Sequence, residues 1–119
     1  MLYVEKCIDF ADSFIDLITD QAKWSQETFG SDDERGPTGA LRHLAKEAAE
    51  AESAVGGDQA KLLEELADCF LLLLDAMRRS KFKPWDLLRA SHAKMAVNKS
   101  RRWPKPVDAV TPVEHVRES

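Results

Sequence analysis

Residues 46–68 read KEAAEAESAVGGDQAKLLEELAD. Two runs rich in Ala, Leu, Glu and Lys, which all favour helices, flank the turn Gly56-Gly57-Asp58. Glycine is the residue that most often ends a helix, and Asp58 is a preferred N-cap for the helix that follows. The stretch therefore predicts a helical hairpin with a tight turn.

Four carboxylates converge in this predicted hairpin. Glu47 and Glu50 are three residues apart on one helix, and Glu65 and Asp68 repeat that spacing on the next. At a rise of 1.5 Å per residue, Glu50 and Glu65 lie roughly 10 Å from the turn, and Glu47 and Asp68 roughly 14 Å from it. Clustered carboxylates repel one another unless cations are present, and oxygen ligands without His or Cys suit Mg²⁺ or Mn²⁺. One pair alone would more often be a solvated helix face, so the metal hypothesis depends on all four.

Helical spacing of apolar residues continues outward from the hairpin, and no alternating strand pattern appears. Loop residues at 30–37 and the helix-starting Pro84 divide the remaining sequence. The predicted helices run to about Thr28, from about Thr38 to the glycines, over 59–79, and onward from Pro84. We predict an all-α, four-helix, bundle-like fold in a single domain over 1–119, with an irregular proline-containing tail at 103–119.

Composition limits the possible classes of function. The net charge of −4 argues against a dedicated nucleic-acid binder, since such proteins usually have a basic face. Cys7 and Cys69 lie in apolar, helix-like surroundings, which predicts free thiols. Charged residues within the first ten positions argue against a leader peptide, and the apolar run 69–74 is too short to span a bilayer. We expect a soluble cytoplasmic protein that binds neither membrane nor nucleic acid.

The apolar run also predicts self-association. Phe70 and residues 71–74 cover more than a full helical turn, and a helix that is apolar all round is buried all round. A chain of this size offers few surfaces for that burial. We therefore expect a homo-oligomer, at least a dimer, held by the third helix.

Two further groups of polar residues lie downstream of the hairpin. Asp75 continues the stripe of Glu65 and Asp68, and it is either exposed or held by a basic residue of the fourth helix, most simply Lys94. Lys94, Asn98 and Arg102 recur every four residues, so they share one face. That stripe either complements the helix dipole or binds a polyphosphate opposite the acidic residues.

Upstream of the hairpin, aromatic and polar residues lie close together at the end of the first helix. Trp24, beside Ser25 and near Phe29, is either a core residue or a platform for stacking a base. His43 lies four residues before Glu47 and so points toward the acidic face. It either contacts a base or is an ordinary histidine near a helix start.

Taken together, these motifs resemble those of the MazG-like all-α nucleotide pyrophosphohydrolases. The family pattern of an E-x-x-E helix, a short turn and an E-x-x-D helix is matched by KEAAE, Gly56-Gly57-Asp58 and EELAD. Lys46 replaces the first acid of the fuller form E-E-x-x-E, which leaves the number of metal ions open. WSQETFG, GALRHLAKE, KMAVNKSRRWP and the late EHVRE are similar to the dATP/dGTP pyrophosphohydrolase branch.

The resemblance implies that Mg²⁺ or Mn²⁺ supports hydrolysis of a purine nucleoside triphosphate, dGTP and/or dATP, with guanine preferred. Water would attack the α-phosphorus and give the monophosphate and pyrophosphate. A dimer or tetramer is implied as well. The residues expected to be catalytic and metal-binding are Glu47, Glu50, Glu65 and Asp68. The residues expected to bind substrate are Trp24, Ser25, Phe29, His43, Lys46, Asp75, Lys94, Asn98, Arg102 and Trp103.

Three other classes were weighed against this one. A non-catalytic, homo-oligomeric helical interaction module would explain the apolar third helix equally well. A di-metal carboxylate oxidase bundle uses Glu-x-x-His, and no histidine of the sequence follows a glutamate by three positions. A nucleic-acid binder using the basic residues within 94–105 is disfavoured by the acidic total.

Overall fold

The computed structural model describes residues 2–117, and within that range side chains other than those of residues 2–5 and 8. Four helices and no strand occur in the described range: α1 (Leu2–Phe29), α2 (Thr38–Ala54), α3 (Gln59–Arg79) and α4 (Pro84–Ser100). The predicted all-α, four-helix fold is confirmed. Residues 1, 118 and 119 of the predicted domain lie outside the described residues.

The chain forms two compact units, Met1–Pro84 and Trp85–Ser119. That the whole chain is one domain stays a prediction. None of the helices in the described part of the chain is both long enough and apolar enough to cross a membrane.

The α2–α3 hairpin forms where the sequence predicts it. Gly56 has φ +84°, a left-handed conformation that glycine adopts at little cost, and it follows the end of α2. Asp58 then caps α3, because its Oδ1 accepts a hydrogen bond of 2.9 Å from the backbone N–H of Ala60. The turn returns the chain so that α3 packs along α2, which brings the acidic residues of the two helices together.

The first unit is built around α3, which packs against both α1 and α2. Among the described side chains, the buried apolar residues are few and mostly small: Ala40, Ala51, Leu74, Ala76 and Met77. Burial of the run 70–74 is one-sided, since Leu74 is 3% exposed whereas Leu73 and Phe70 are 39% and 41% exposed. The chain by itself therefore does not bury this run all round.

The C-terminal end of α3 is closed by backbone hydrogen bonds. The N–H of Phe82 donates to the carbonyl of Met77 (3.1 Å), and the N–H of Lys81 donates to the carbonyl of Arg78 (2.8 Å). This pair of hydrogen bonds is a Schellman motif, which requires a left-handed residue just after the helix, and Lys81 has φ +69°. The closure fixes the last turn of α3, which contains the two arginines described below.

The second unit consists of α4 and an irregular segment that returns to its end. The indole N–H of Trp103 donates to the carbonyl of Asn98 (2.7 Å), and the N–H of Val116 donates to the carbonyl of Arg102 (2.7 Å). The Trp103 ring meets the His115 ring edge-on at 5.8 Å. Residues 101–117 contain no helix or strand, yet these contacts give them a defined path.

Candidate active site

Three carboxylates of the α2–α3 hairpin meet at one point, which we call the acidic cluster. Glu47, Glu65 and Asp68 each present one oxygen, and the three oxygens lie within 4.8 Å of one another. Glu65 is only 4% exposed, and its Oε2 has no hydrogen-bond partner among the described residues. A buried, unpaired carboxylate oxygen is costly, so this atom needs a cation or a water molecule.

The interactions among the carboxylates of the acidic cluster also indicate that it binds a cation. Hydrogen bonding to Glu50, together with burial and repulsion, raises the pKa of Glu47, while His43 opposes that rise from 3.0 Å. The Lys61 ammonium, 2.9 Å from Glu65 Oε1, lowers the pKa of Glu65. Carboxylates that compete for protons in this way are stabilised by a divalent cation, and the all-oxygen donor set fits Mg²⁺ or Mn²⁺.

Glu50 lies beside the acidic cluster but outside it. Distance from the turn predicts that Glu50 pairs with Glu65 and Glu47 with Asp68, whereas the structure groups Glu65 with both Glu47 and Asp68. Glu50 still approaches Glu47 and Glu65 closely enough to affect the pKa of each. It faces a second cavity, whose other charged lining residues are Lys46, Lys61 and Glu65.

An aromatic cavity of about 350 Å³ also borders the acidic cluster, at Glu47 and Asp68. Its lining residues from α1 are Leu17, Asp20, Gln21, Trp24, Ser25 and Phe29, and those from the hairpin are His43, Glu47, Asp68, Leu71, Leu72 and Asp75. Trp24 and Phe29 meet edge-to-face with ring centroids 5.4 Å apart. Trp24 is 56% exposed, so the structure places it in a cavity wall and not in the core.

Asp75 is held by four donors from α1 and α3. Its Oδ1 accepts hydrogen bonds from Gln21 Nε2 (3.0 Å), Ser25 Oγ (2.5 Å) and Arg78 Nη2 (2.6 Å), and its Oδ2 accepts one from Arg79 Nε (2.8 Å). Asp75 is 7% exposed. The alternative of an exposed Asp75 is therefore wrong, and residues of α1 and α3 hold its carboxylate; a contact with Lys94 stays a prediction.

Arg78 and Arg79 were not among the predicted site residues, although they follow Asp75 at the helical spacings i+3 and i+4. Arg79 is fully buried at its side chain and donates through Nη1 to the carbonyls of Gly30, Ser31 and Arg35. Arg78 donates to Asp32 at 3.1 Å. Together they fasten the loop between α1 and α2 to the end of α3.

The same network fixes the polar groups behind the aromatic cavity. The hydroxyl of Ser25 donates to Asp75 and accepts from Arg79 Nη2 at 2.9 Å, so both of its functions are used. Burial alone would raise the pKa of Asp75, but the hydrogen bonds from Ser25, Gln21 and the two arginines have the larger combined effect. The pKa is therefore well below its usual value, and the carboxyl stays ionised. In this structure Ser25 and Asp75 therefore stabilise the cavity wall; the substrate contacts expected of them stay predictions.

The remaining candidate residues lie in the second unit. Lys94, Asn98 and Arg102 share a helix face by their spacing, and Trp103 packs against His115 as described above. Their predicted contacts with phosphate stay predictions.

Comparison with known proteins agrees with this geometry. Residues 17–119 match the family model of the dATP/dGTP pyrophosphohydrolases. Among solved structures, the chain is similar to the cyanophage S-2L MazG-like pyrophosphohydrolase bound to dGDP and three catalytic Mn²⁺ ions per active site. That match has 25% sequence identity and a TM-score of 0.64, and it covers 88% of this chain and 94% of that one. No match was found among curated proteins. The chain thus belongs to the dATP/dGTP pyrophosphohydrolase family and is a nucleotide pyrophosphohydrolase.

Proposed function

We propose that this enzyme hydrolyses a purine deoxynucleoside triphosphate, dGTP and/or dATP, to the monophosphate and pyrophosphate. The observation on which this depends most is the acidic cluster of Glu47, Glu65 and Asp68 at the edge of the aromatic cavity. A cavity of about 350 Å³ lies within the range that small ligands occupy. The dGDP and Mn²⁺ ions of the cyanophage relative support the same assignment.

The four carboxylates of the hairpin would hold Mg²⁺ or Mn²⁺, with Glu65 Oε2 as the oxygen that most needs a ligand. Such an ion, when bound, polarises phosphate oxygens and lowers the pKa of a coordinated water. His43 Nε2 engages one oxygen of Glu47, which orients that carboxylate. Glu47 is accordingly our candidate for positioning or deprotonating the water that attacks the α-phosphorus.

The aromatic cavity would bind the base. Trp24 and Phe29 form one side, and the apolar side chains of Leu71 and Leu72 also line the cavity. The single large face of the Trp24 indole favours a bicyclic base, which supports a purine preference. The dGDP bound by the cyanophage relative supports guanine ahead of adenine.

Basic residues would bind the phosphates. Lys46 lies beside Glu50 in the second cavity, close to where a polyphosphate would leave the acidic cluster. Lys94, Arg102 and Asn98 are our candidates for the leaving pyrophosphate and the sugar, since charged and amide donors suit phosphate oxygens. Trp103 would anchor the end of α4 beside them.

We further propose that the enzyme is a homo-oligomer, a dimer or tetramer, held by α3. Leu63, Leu66, Phe70 and Leu73 form an apolar stripe with the spacing of a helix–helix contact, and they are 68%, 51%, 41% and 39% exposed. Complete burial of an exposed side chain of this size contributes about 1.5–3 kcal/mol, and each of these would gain the fraction that corresponds to its exposed surface. The same stripe on a second copy is the simplest partner.

A substrate survey tests the proposed activity. The purified enzyme is incubated with each common deoxynucleoside and ribonucleoside triphosphate in Mg²⁺ or Mn²⁺, and pyrophosphate release is followed. We expect turnover of dGTP and dATP above the pyrimidine nucleotides, and none after exhaustive EDTA treatment. Equal rates on dCTP, dTTP and dGTP would contradict the purine assignment, and a chain that acts only as an interaction module would release no pyrophosphate.

A further inference from the structure

Most polar side chains that line the aromatic cavity are already engaged with other protein groups. The amide of Gln21 donates to Asp75 and accepts from Arg78 Nη1, so both ends are engaged and its orientation is fixed. The Ser25 hydroxyl is used twice, as described above, and His43 is paired with Glu47. These groups close the cavity wall, and none of the three presents two acceptor atoms side by side to a base.

Asp20 is the exception. It lines the same cavity, it is exposed, and within residues 2–117 it makes no hydrogen bond or ion pair. It is also outside the acidic cluster, because among the side chains that the structure describes only Glu47, Glu65 and Asp68 bring ligand atoms close enough to share one ion. Asp20 therefore presents a carboxylate to the cavity that neither the fold nor the acidic cluster uses.

The position of Asp20 places it beside the aromatic wall. It precedes Trp24 by four residues on α1, so the two side chains lie on one helix face, one turn apart. A base that stacks on Trp24 would have its edge within reach of the next turn, where Asp20 lies. An ionised carboxylate is an acceptor only, with two oxygens side by side.

We propose that Asp20 is the residue that selects guanine, by accepting hydrogen bonds from the N1–H and the 2-amino group of the base; this rests on the proposed function. Guanine presents those two donors side by side, which matches the two oxygens of a carboxylate. Adenine presents one donor next to the lone pair of N1, so one carboxylate oxygen would face a lone pair. Gln21 cannot compensate, because Asp75 and Arg78 fix its amide.

The test is Asp20→Asn, which keeps the size of the side chain but supplies one acceptor and one donor, the pattern that adenine needs. The ratio of kcat/KM for dGTP to that for dATP should fall by about tenfold to a hundredfold, the value of one bidentate base contact. Wild-type enzyme should also prefer dGTP to dITP, which lacks the 2-amino group, and Asp20→Asn should lose that preference. Asp16→Asn is the matched control: it removes the same charge from α1 outside the cavity, and both ratios should stay unchanged.

Binding of the monophosphates separates this proposal from the proposed activity. Calorimetry should show that wild-type enzyme binds dGMP more tightly than dAMP, and that Asp20→Asn reverses the order, whether or not turnover is measured. Equal affinity of the wild type for the two monophosphates, or unchanged ratios in a folded Asp20→Asn enzyme, would overturn the role of Asp20. A wild-type enzyme that binds dGMP selectively but hydrolyses no triphosphate would instead refute the proposed function alone.

Discussion

Replacing Asp75 by Asn removes one negative charge from a buried network with little change in side-chain shape. The carboxylate accepts hydrogen bonds from two guanidinium groups, at 2.6 Å from Arg78 and 2.8 Å from Arg79. Arg78 keeps a second carboxylate partner in Asp32 at 3.1 Å. For the fully buried Arg79, the Asp32 carboxylate is a poor substitute at 3.8 Å.

The cost of the substitution follows from that asymmetry. Removing one partner of a buried ion pair costs about 3–5 kcal/mol, because the other charge is left uncompensated. For a chain of this length, we expect a fall in melting temperature of roughly 12–20 °C, at about 4 °C per kcal/mol. Since Arg79 also fastens the loop between α1 and α2, disorder of that loop and of the cavity wall should accompany the loss.

Urea denaturation followed by far-ultraviolet circular dichroism measures the change in unfolding free energy. Asp33→Asn is the matched control, because its partner Lys81 is 2.6 Å away but both side chains are largely exposed. An exposed pair of that kind contributes little, so Asp33→Asn should unfold close to the wild-type midpoint. A loss below about 1 kcal/mol in Asp75→Asn would show that the network does not stabilise the fold.

Three other outcomes are expected. The pKa of Asp75 is lower in the folded chain than in the unfolded one, so its ionised carboxylate stabilises the fold above pH about 4, and this contribution is lost as the pH falls further. The free energy of unfolding, measured as a function of pH in acid, should show this loss in the wild type. The Asp75→Asn variant should not show it. Glu65→Gln should reduce turnover about a hundredfold or more and weaken Mn²⁺ binding in calorimetry. The control is Glu64→Gln, which changes the exposed neighbouring residue and should do neither. Similar activities for the two variants would mean that the acidic cluster is misplaced. Leu66→Lys should convert the oligomer to smaller species, as measured by light scattering. The control is Val55→Lys, because Val55 is also exposed but lies outside the helices, and this variant should keep the wild-type size. A wild type that is an active monomer at micromolar concentration would refute the interface.

The helices were predictable because their signals are local. Gly56, Asp58 and Pro84 mark helix ends by their own backbone preferences, and the structure places the ends within a few residues of them. The convergence of the acids follows from the same signals, since one tight turn and the helical rise determine which residues of the two helices lie opposite each other. The close grouping of Glu65 with both Glu47 and Asp68 depends on the rotation of each helix, which spacing alone does not determine.

The partner of Asp75 illustrates where such inference fails. The sequence offers Lys94 as a basic residue at a matching periodicity, but a contact between helices depends on their packing. The arginines at i+3 and i+4 were available as local partners, and the structure uses them. Asp20 belongs to no motif, and its proposed role becomes visible only when α1 is packed against α3 and the other polar groups of the cavity find partners.

Hydrolysis of dGTP in water enriched in ¹⁸O, with Mg²⁺ or Mn²⁺ present, tests the central claim most directly. Attack of water on the α-phosphorus should place one ¹⁸O atom in the monophosphate and leave the pyrophosphate unlabelled, as read by mass spectrometry of the two products. The reaction should stop when EDTA removes the cation. Label in the pyrophosphate, release of orthophosphate with a nucleoside diphosphate, or turnover that persists without a divalent cation would contradict the account.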